Sequence, residues 1–363
     1  MTDRRRERLD ALRRRLAEEG LDALLVSHAP NVRYLTGFSG SAGLALVTAS
    51  EVVLVTDFRY RTQAEAEAGD VARIAIDNTS LLEGVFALLP DHPSVRVIGF
   101  EAHVLTVRDG ARLGDPERPW RFAPTSDLVE ALRAVKAPEE VAAIREAGRL
   151  AAAALAEVAP RVRAGLSELE VAALLEAALR RAGSEAHPFD AIVASGPRAA
   201  LPHAGTAARE VAAGEWLLLD FGARVDGYCA DVTRTFLVGA APDRRQREVY
   251  EVVRDAQAAA VSRLRAGLTG REGDALARDP IAAAGFAEEF GHSLGHGLGL
   301  EVHEAPRLSR AAEQRLPAGA VVTVEPGIYL PGWGGVRIED DVLLGDEGAT
   351  LLTDFPRELI VLG

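Results

Sequence analysis

Residues 291–304 read Gly-His-Ser-Leu-Gly-His-Gly-Leu-Gly-Leu-Glu-Val-His-Glu and contain three of the chain's eight histidines. Histidines four positions apart, such as His292 and His296, could lie on one face of a helix, as zinc-binding pairs do. The four glycines of this run argue against a helix, because glycine loses more backbone entropy on ordering than other residues. The run therefore predicts an extended segment whose backbone approaches a bound group closely. Three histidines in it favour a functional site over separately packed side chains.

The apolar stretches around this histidine run carry acidic side chains. Four of these stretches resemble strands, and each has a candidate carboxylate in it or beside it: Asp220, Asp231, Glu325 and Glu339. Carboxylates are rarely buried unless they are paired, hydrogen-bonded or bound to a metal ion. Together with one histidine of the run, these four residues predict a site rich in hard oxygen ligands.

A predicted hairpin relates the first two of these carboxylates. Asp226-Gly227 lies between two apolar, strand-like runs, and this dipeptide is a strong signal for a two-residue hairpin turn. Such a turn sets Asp231 opposite Gly222 on the neighbouring strand. Because side chains alternate along a strand, Asp231 and Asp220 then face the same side of the sheet. This is the arrangement that a shared metal pair requires.

Composition limits the class of protein. The chain has 363 residues, enough for two domains, and its 48% hydrophobic content is sufficient for packed cores. A net charge of -13 argues against nucleic acid or an anionic membrane surface as a partner. The single cysteine, Cys229, excludes an internal disulfide and fits a reducing compartment. The sequence contains no membrane-length apolar run and no secretory signal, so we expect a soluble cytoplasmic protein.

The first part of the chain alternates between helical and strand-like patterns. Helices are predicted at 3–20, 58–68, 81–89 and 105–113, and strands at 21–27, 44–47, 52–55, 71–76 and 95–100. Residues 31–43, which contain three glycines, are predicted to form loops and turns. The alternation predicts a compact α/β domain over residues 1–125. A proline-rich, turn-like passage at 116–124 leads to a second domain over 126–363.

The second part begins with helices and continues with strands. Helices are predicted at 127–136, 138–158, 167–181, 243–265 and 271–284, and strands at 191–194, 216–221, 228–238, 320–324 and 336–344. Ser167 and Glu170 match a capping box at the start of one of these helices. The order of elements predicts an α+β domain with a mainly antiparallel sheet lined by acids.

In the motifs described above, the chain resembles the pita-bread metallopeptidase family. Within that family it is most similar to the Xaa-Pro peptidases, prolidase and aminopeptidase P. Residues 31–38 and 57–60 resemble the family's N-terminal domain, and the Gly-His-Gly-Leu-Gly and Val-Glu-Pro-Gly stretches match its catalytic domain. The matched ligand positions are Asp220, Asp231, His296, Glu325 and Glu339, with spacings of 11, 65, 29 and 14 residues. The resemblance implies a creatinase-like α/β domain followed by a pita-bread catalytic domain.

The resemblance also implies a pair of divalent metal ions. Manganese suits a carboxylate-rich set with one imidazole, and cobalt or zinc are the alternatives. The implied roles are one ion on Asp220, the other on His296 and Glu325, and bridging positions for Asp231 and Glu339. The ions would share a hydroxide that attacks the scissile carbonyl, and Glu325 would carry its proton to the leaving proline nitrogen.

Three further histidines and three other side chains complete the candidate site. The resemblance places His203 near the substrate and gives His303 the task of polarising the carbonyl oxygen. His292 either lines the same pocket or orients a ligand. The other candidates for contact with substrate are Arg307, Tyr329 and Arg337.

These last three candidates each have a second interpretation. Arg307 is either a clamp for a substrate carboxylate or a surface arginine. We favour a role for Arg337 in orienting ligands, because it lies two residues before Glu339. Tyr329 contacts the pocket or packs within a strand. Cys229 is two residues from Asp231, but a lone cysteine is more often a small buried hydrophobic residue than a ligand.

The predicted activity is hydrolysis of the Xaa-Pro peptide bond. We favour a dipeptidase because Arg307 could hold the proline carboxylate, with aminopeptidase P acting on longer Xaa-Pro peptides as the alternative. More distant alternatives are a creatinase-like hydrolase, a methionine aminopeptidase and a non-catalytic pita-bread module that binds proteins. The expected partner is a small peptide with proline second, with no nucleic acid and no membrane, and the resemblance implies a homodimer.

Overall fold

The computed structural model describes residues 4–363, and the chain divides into two compact units, Met1–Arg133 and Ala134–Gly363. Residues 1–3 lie outside the described range, and they include the first position of the helix predicted at 3–20. Within the described residues, no helix is long and apolar enough to cross a membrane.

The first unit alternates between helices and strands, as predicted. Its helices are α1 (Arg4–Glu18), α2 (Ala29–Thr36), α3 (Arg61–Ala68), α4 (Leu81–Leu88), α5 (Val107–Leu113) and α6 (Glu130–Arg133). Its strands are β1 (Ala23–Val26), β2 (Gly43–Thr48), β3 (Val52–Thr56), β4 (Arg73–Ile76), β5 (Val97–Glu101) and β6 (Arg121–Thr125). The six strands form one sheet in the order β4-β3-β2-β1-β5-β6. Strands β2 and β3 pair antiparallel, and β1 pairs parallel with β5.

Two predictions for the first unit are wrong. Part of the predicted loop at 31–43 is helix α2, which has Pro30 in its first turn and ends at Gly37 with a left-handed φ of 85°. The buried side chains of Val32 and Leu35 hold this short helix, whereas the sequence shows only the glycines that follow it. The passage predicted as turn-rich contains strand β6, which lies at the edge of the sheet and therefore tolerates Pro124.

All four helices of the second unit precede the strands of its largest sheet. Its helices are α7 (Pro138–Val158), α8 (Glu168–Ala182), α9 (Arg244–Arg263) and α10 (Gly270–Ala283). The early strands are β7 (Ile192–Ser195), β8 (Trp216–Phe221), β9 (Arg224–Val225), β10 (Tyr228–Cys229) and β11 (Val232–Val238). The later strands are β12 (Gly295–Gly297), β13 (Glu304–Leu308), β14 (Val321–Val324), β15 (Gly327–Leu330), β16 (Gly334–Arg337), β17 (Asp340–Leu344), β18 (Ala349–Leu351) and β19 (Val361–Leu362).

The sheets of the second unit are mainly antiparallel, as predicted. One sheet has the order β19-β11-β8-β7 and the other β13-β12-β14-β17-β18, and two hairpins, β9-β10 and β15-β16, stand beside them. The predicted capping box of α8 is confirmed, since Ser167 and Glu170 bond each other's backbone N–H groups. One apolar core packs α7 and α8 against β8 and β11, and another packs α9 and α10 against β14 and β16.

Two predicted strands are interrupted where they carry a candidate ligand. The strand predicted at 228–238 breaks between β10 and β11, and Asp231 lies in this break. The strand predicted at 336–344 breaks between β16 and β17, and Glu339 lies there. Each break occurs just before a well-paired strand, so the carboxylates are held close to regular backbone.

The glycines of the histidine run are required by close packing. A Cβ atom on Gly295 would lie 2.0 Å from the Thr323 carbonyl oxygen, and one on Gly297 would lie 2.2 Å from the Ala305 carbonyl oxygen. The predicted extended backbone is present as β12. Backbone atoms of the same unit are its close neighbours at these two glycines.

A buried charge network supports the strands beneath the site. Asp340 is fully buried and accepts hydrogen bonds from Arg234, Gln257, Thr353 and Arg357. Arg234 is itself only 1% exposed and pairs with Asp340 at 2.7 Å. The network therefore joins β11 and β17 through charges that cannot be solvated.

Replacing Asp340 by alanine is expected to lower the free energy of unfolding by about 3–5 kcal/mol, because it leaves the Arg234 guanidinium buried without a counter-charge. Urea denaturation followed by tryptophan fluorescence measures this loss. Glu146→Ala is the control, since it removes the partner of the exposed Arg149 and should change stability little. Similar losses in the two variants would show that the buried network contributes no more than a surface pair.

Candidate active site

Five candidate ligands come together from five separate segments of the second unit. One lies in β8, one in the break before β11, one in β12, one directly after β14 and one in the break before β17. They are Asp220, Asp231, His296, Glu325 and Glu339, and all line one cavity of about 350 Å³. The same cavity is lined by Phe189, Asp190, Ile192, Pro202, His203, His292, Ser293, Val302, His303, Arg307 and Arg337.

The hairpin geometry predicted for the first two carboxylates is confirmed. The turn residues Asp226 and Gly227 have positive φ angles of 48° and 79°, as a tight hairpin turn requires. In the β8–β11 ladder, Asp220 pairs with Thr233. Asp231 precedes Thr233 by two residues, and its carboxyl group therefore lies on the same face as that of Asp220.

The ligand atoms are close enough to share ions. The His296 Nε2 atom lies 3.3 Å from a Glu325 carboxylate oxygen and 3.8 Å from an Asp231 carboxylate oxygen. One ligand atom from each of Asp231, His296 and Glu339 lies within 4.8 Å of the other two. These side chains are buried, with exposed fractions of 5%, 5% and 2%.

Unsatisfied carboxylate oxygens indicate that cations belong in this cavity. The Oδ1 atoms of Asp220 and Asp231 are buried and have no hydrogen-bond partner. A buried, ionised carboxylate without a partner is strongly disfavoured, whereas coordination to a divalent ion satisfies it. The residues present therefore fit a site for divalent metal ions made mainly of oxygen ligands.

The electrostatics of the cavity lead to the same conclusion. Burial, together with repulsion from Glu339 and Asp220, raises the pKa of Asp231 well above its usual range. Burial, together with repulsion from Glu325 and Asp220, does the same to the pKa of Glu339. Bringing several carboxylates together in a buried cavity thus favours proton uptake unless positive charge compensates them.

Glu325 differs from the other acids of the cavity. Burial alone would raise the pKa of Glu325, but hydrogen bonding and positive charge from His296 outweigh it, and its pKa is lowered. The Thr323 hydroxyl also donates to a Glu325 oxygen at 3.2 Å. Neighbouring carboxylates with pKa values shifted in opposite directions are typical of sites that move protons.

The three other histidines lie on the cavity wall. His203 and His303 are exposed and line the cavity. The centroid of the His303 ring lies 4.3 Å from the centroid of the His296 ring. His292 Nδ1 donates to the Ser293 carbonyl at 2.8 Å, and its Nε2 contacts the Tyr329 hydroxyl at 2.8 Å. Burial lowers the pKa of both His292 and His303 and favours their neutral forms.

Arg337 is a buried residue of the cavity lining that contacts a candidate ligand. It is 3% exposed, and it donates to Asp220 at 2.6 Å, to the Tyr329 hydroxyl at 2.9 Å and to the Thr233 hydroxyl at 3.0 Å. Tyr329 is thus held between Arg337 and His292, and burial raises its pKa to about 12. Arg337 is therefore hydrogen-bonded to one candidate ligand, Asp220.

Arg307 is a second arginine of the cavity lining. It is exposed, lines the cavity and pairs with His296 in the β12–β13 ladder. Cys229, by contrast, is fully buried, and burial raises the pKa of its thiol to about 11, so it remains protonated at neutral pH.

Sequence reasoning missed three side chains that hold the candidate ligands. The Thr233 hydroxyl donates to Glu339, the Thr323 hydroxyl accepts from the His296 backbone N–H, and Asp341 accepts from the Asp231 backbone N–H. Thr233 and Thr323 each lie two positions from a candidate ligand. The two-residue repeat of a strand could therefore have identified both.

Both units match known protein families. The sequence pattern of metallopeptidase family M24 matches residues 142–346, and that of the creatinase/prolidase N-terminal domain matches residues 8–135. The Xaa-Pro dipeptidase of Pyrococcus furiosus is 35% identical over 357 residues, which are 98% of this chain and 100% of that protein.

Solved structures show the same two-part architecture. The Xaa-Pro dipeptidase from Bacillus anthracis is 41% identical, with a TM-score of 0.94 over 99% of this chain and 100% of that one. An X-Pro aminopeptidase from Thermotoga maritima is 37% identical, with a TM-score of 0.90 over 98% of this chain and 99% of that one.

Proposed function

This chain belongs to metallopeptidase family M24, and we propose that it is an Xaa-Pro dipeptidase, which hydrolyses the peptide bond before proline in dipeptides. The main support is the meeting of five candidate ligands around one cavity in which two carboxylate oxygens have no partner. Similarity to Xaa-Pro dipeptidases over the whole chain supports the substrate class. Rates on Ala-Pro, Ala-Pro-Ala and Ala-Ala with added manganese test the proposal, and faster hydrolysis of Ala-Ala than of Ala-Pro would contradict it.

The proposed ligand set uses all five residues. Asp220 would hold one ion and His296 with Glu325 the other, while Asp231 and Glu339 would bind both. Hard oxygen ligands with a single imidazole favour manganese, with cobalt or zinc as alternatives. When bound, the ions supply Lewis acidity toward the scissile carbonyl and activate water as the nucleophile.

The other side chains of the cavity would transfer protons, stabilise developing charge and position the substrate. Glu325, whose pKa is lowered beside His296, would accept a proton and deliver it to the proline nitrogen as that nitrogen leaves. His303 would donate a hydrogen bond to the carbonyl oxygen as negative charge develops there. His203 and His292 line the same cavity and would position the substrate. Arg337 and Tyr329 would hold Asp220 and His292 in place.

The choice between dipeptidase and aminopeptidase depends on the proline carboxylate. A dipeptide carries this negative charge beside the scissile bond, whereas a longer peptide continues with another residue. Two arginines line the cavity, and Arg337 is already bonded to Asp220. Arg307 is exposed on the wall, where a bidentate guanidinium could hold the carboxylate. This arrangement favours the dipeptidase, with an aminopeptidase for longer Xaa-Pro peptides as the alternative.

Replacing Arg307 by alanine is expected to weaken cleavage of Ala-Pro mainly through a higher KM. Loss of a charge-assisted bond in a partly desolvated site costs about 2–4 kcal/mol. Ala-Pro-amide lacks the carboxylate and should be affected little. Steady-state kinetics on both substrates measure the difference, and Arg310→Ala is the control because it changes an exposed arginine three residues away. Equal losses on both substrates would assign Arg307 a structural role and favour the aminopeptidase.

We further propose a cytoplasmic homodimer. A single, fully buried cysteine suits a reducing compartment. The homodimer is proposed by analogy with Xaa-Pro peptidases. Size-exclusion chromatography with light scattering tests the oligomeric state, and a monomeric mass at micromolar concentration would contradict it.

A further inference from the structure

A second group of metal-ligating side chains lies within the first unit. It contains His28 directly before α2, His103 after β5 and Glu130 at the start of α6. His103 Nε2 lies 3.2 Å from Glu130 Oε1, and His28 Nδ1 lies 3.8 Å from the same oxygen. One ligand atom from each residue lies within 4.8 Å of the other two. Residues distant in the sequence thus bring three potential ligand atoms close together.

These separations match those between ligands of a small transition-metal ion. With bonds of about 2.0–2.1 Å, the edge of a tetrahedron around zinc is roughly 3.3–3.4 Å. The two measured distances, 3.2 Å and 3.8 Å, lie on either side of this value. The imidazole rings meet edge to face, with centroids 5.7 Å apart, so they do not stack over the space between the ligand atoms.

Buried neighbours hold two of the three residues, His28 and Glu130, in place. The Asn31 side-chain amide donates to both Glu130 and Glu101, and its carbonyl oxygen accepts from Arg133. Glu101 in turn accepts from the backbone N–H of His28. Asn31, Glu101 and Arg133 are all at most 3% exposed. Groups that orient ligands in this way are a regular part of metal sites in proteins.

The ligand side chains themselves remain accessible. Their exposed fractions are 21% for His28, 41% for His103 and 18% for Glu130. An ion can reach His103 and Glu130 from solvent, whereas the Nδ1 atom of His28 is itself buried. Two imidazoles and one carboxylate are a set that zinc, cobalt and nickel bind well, whereas calcium and magnesium prefer oxygen ligands.

We propose that His28, His103 and Glu130 bind one zinc-class transition-metal ion at a site separate from the M24 ligand set. The ion ties the segment before α2, the segment after β5 and the start of α6 to one another. Its expected role is structural, because binding to the folded state alone raises the stability of that state. The proposal does not depend on peptidase activity, since all three ligands belong to the first unit.

The experiment counts ions in a full-length background that carries Asp231→Asn and Glu339→Gln. This background weakens the M24 ligand set and leaves the first unit unchanged. After chelation, Co²⁺ alone is added, and bound ion is measured by equilibrium dialysis and by the visible absorption of four-coordinate cobalt. His103→Ala and Glu130→Gln are then compared with the background. His92→Ala is the matched control, because it removes another histidine of the first unit that lies near a glutamate.

The expected result is one fewer cobalt equivalent in His103→Ala than in the background, or binding of that equivalent weakened by more than about tenfold. Glu130→Gln should show the same loss, and His92→Ala should show none. Zinc should raise the Tm of the background and of His92→Ala, but not that of the two ligand variants. Unchanged stoichiometry and affinity in His103→Ala would overturn the proposal, as would an equal zinc-dependent rise in Tm in every variant.

Discussion

Replacing Asp231 by asparagine or Glu339 by glutamine is expected to lower kcat/KM on Xaa-Pro dipeptides by about a thousandfold or more, since losing one part of a catalytic unit is severe and non-additive. Both changes conserve the shape of the side chain and remove its negative charge. They therefore separate an electrostatic role at the proposed metal centre from a role in packing.

The size of this effect follows from the position of the two carboxylates. Asp231 and Glu339 are nearly fully buried, and each places a ligand atom within 4.8 Å of a ligand atom of His296. If both bind the two ions, each variant weakens the contacts to both ions at once. An amide oxygen can still coordinate, but it no longer balances the ionic charge.

Metal content distinguishes the proposed cause from unfolding. Circular dichroism should remain unchanged in both variants, while bound metal measured by elemental analysis should fall below that of the wild type. Asp190→Asn is the control, because Asp190 lines the cavity but lies outside the proposed ligand set, and this variant should retain its metal. A Glu339→Gln variant with two bound ions and near-normal turnover would contradict the bridging assignment.

Removal of the metal ions is expected to abolish turnover, and added manganese or cobalt is expected to restore it. The single cysteine, Cys229, does not offer an alternative nucleophile, since its thiol is buried with a raised pKa. Activation of water would therefore be lost together with the ions. Rates on Ala-Pro before chelation, after chelation and after addition of each metal measure the effect.

This result also separates the proposed peptidase from the other functions that share the fold. A creatinase-like hydrolase works without metal ions and would retain its rate after chelation. Full turnover in a sample shown by elemental analysis to be metal-free would thus rule out the proposed mechanism. Recovery with manganese but not with magnesium would agree with a site that includes an imidazole ligand.

Much of the fold could be predicted because the relevant signals are local. The Asp226-Gly227 turn sets the register of the strands beside it, and this register brings Asp220 and Asp231 to one face. Ser167 and Glu170 likewise mark the start of α8 within four residues of sequence. In contrast, α2 was missed because its stability comes from burial of Val32 and Leu35, and not from a pattern in its own short sequence.

The sequence by itself determined the two-part architecture, the antiparallel hairpin and the types of side chain available for a metal centre, because turn chemistry and strand periodicity act over a few residues. Only the tertiary structure decided which distant groups meet. Arg337 bonds Asp220 across 117 residues, Thr233 bonds Glu339 across 106, and Glu130 meets His103 through the packing of α6 near the end of β5. Contacts of this kind depend on how whole sheets and helices pack, since burial and charge pairing act between groups that no local pattern connects.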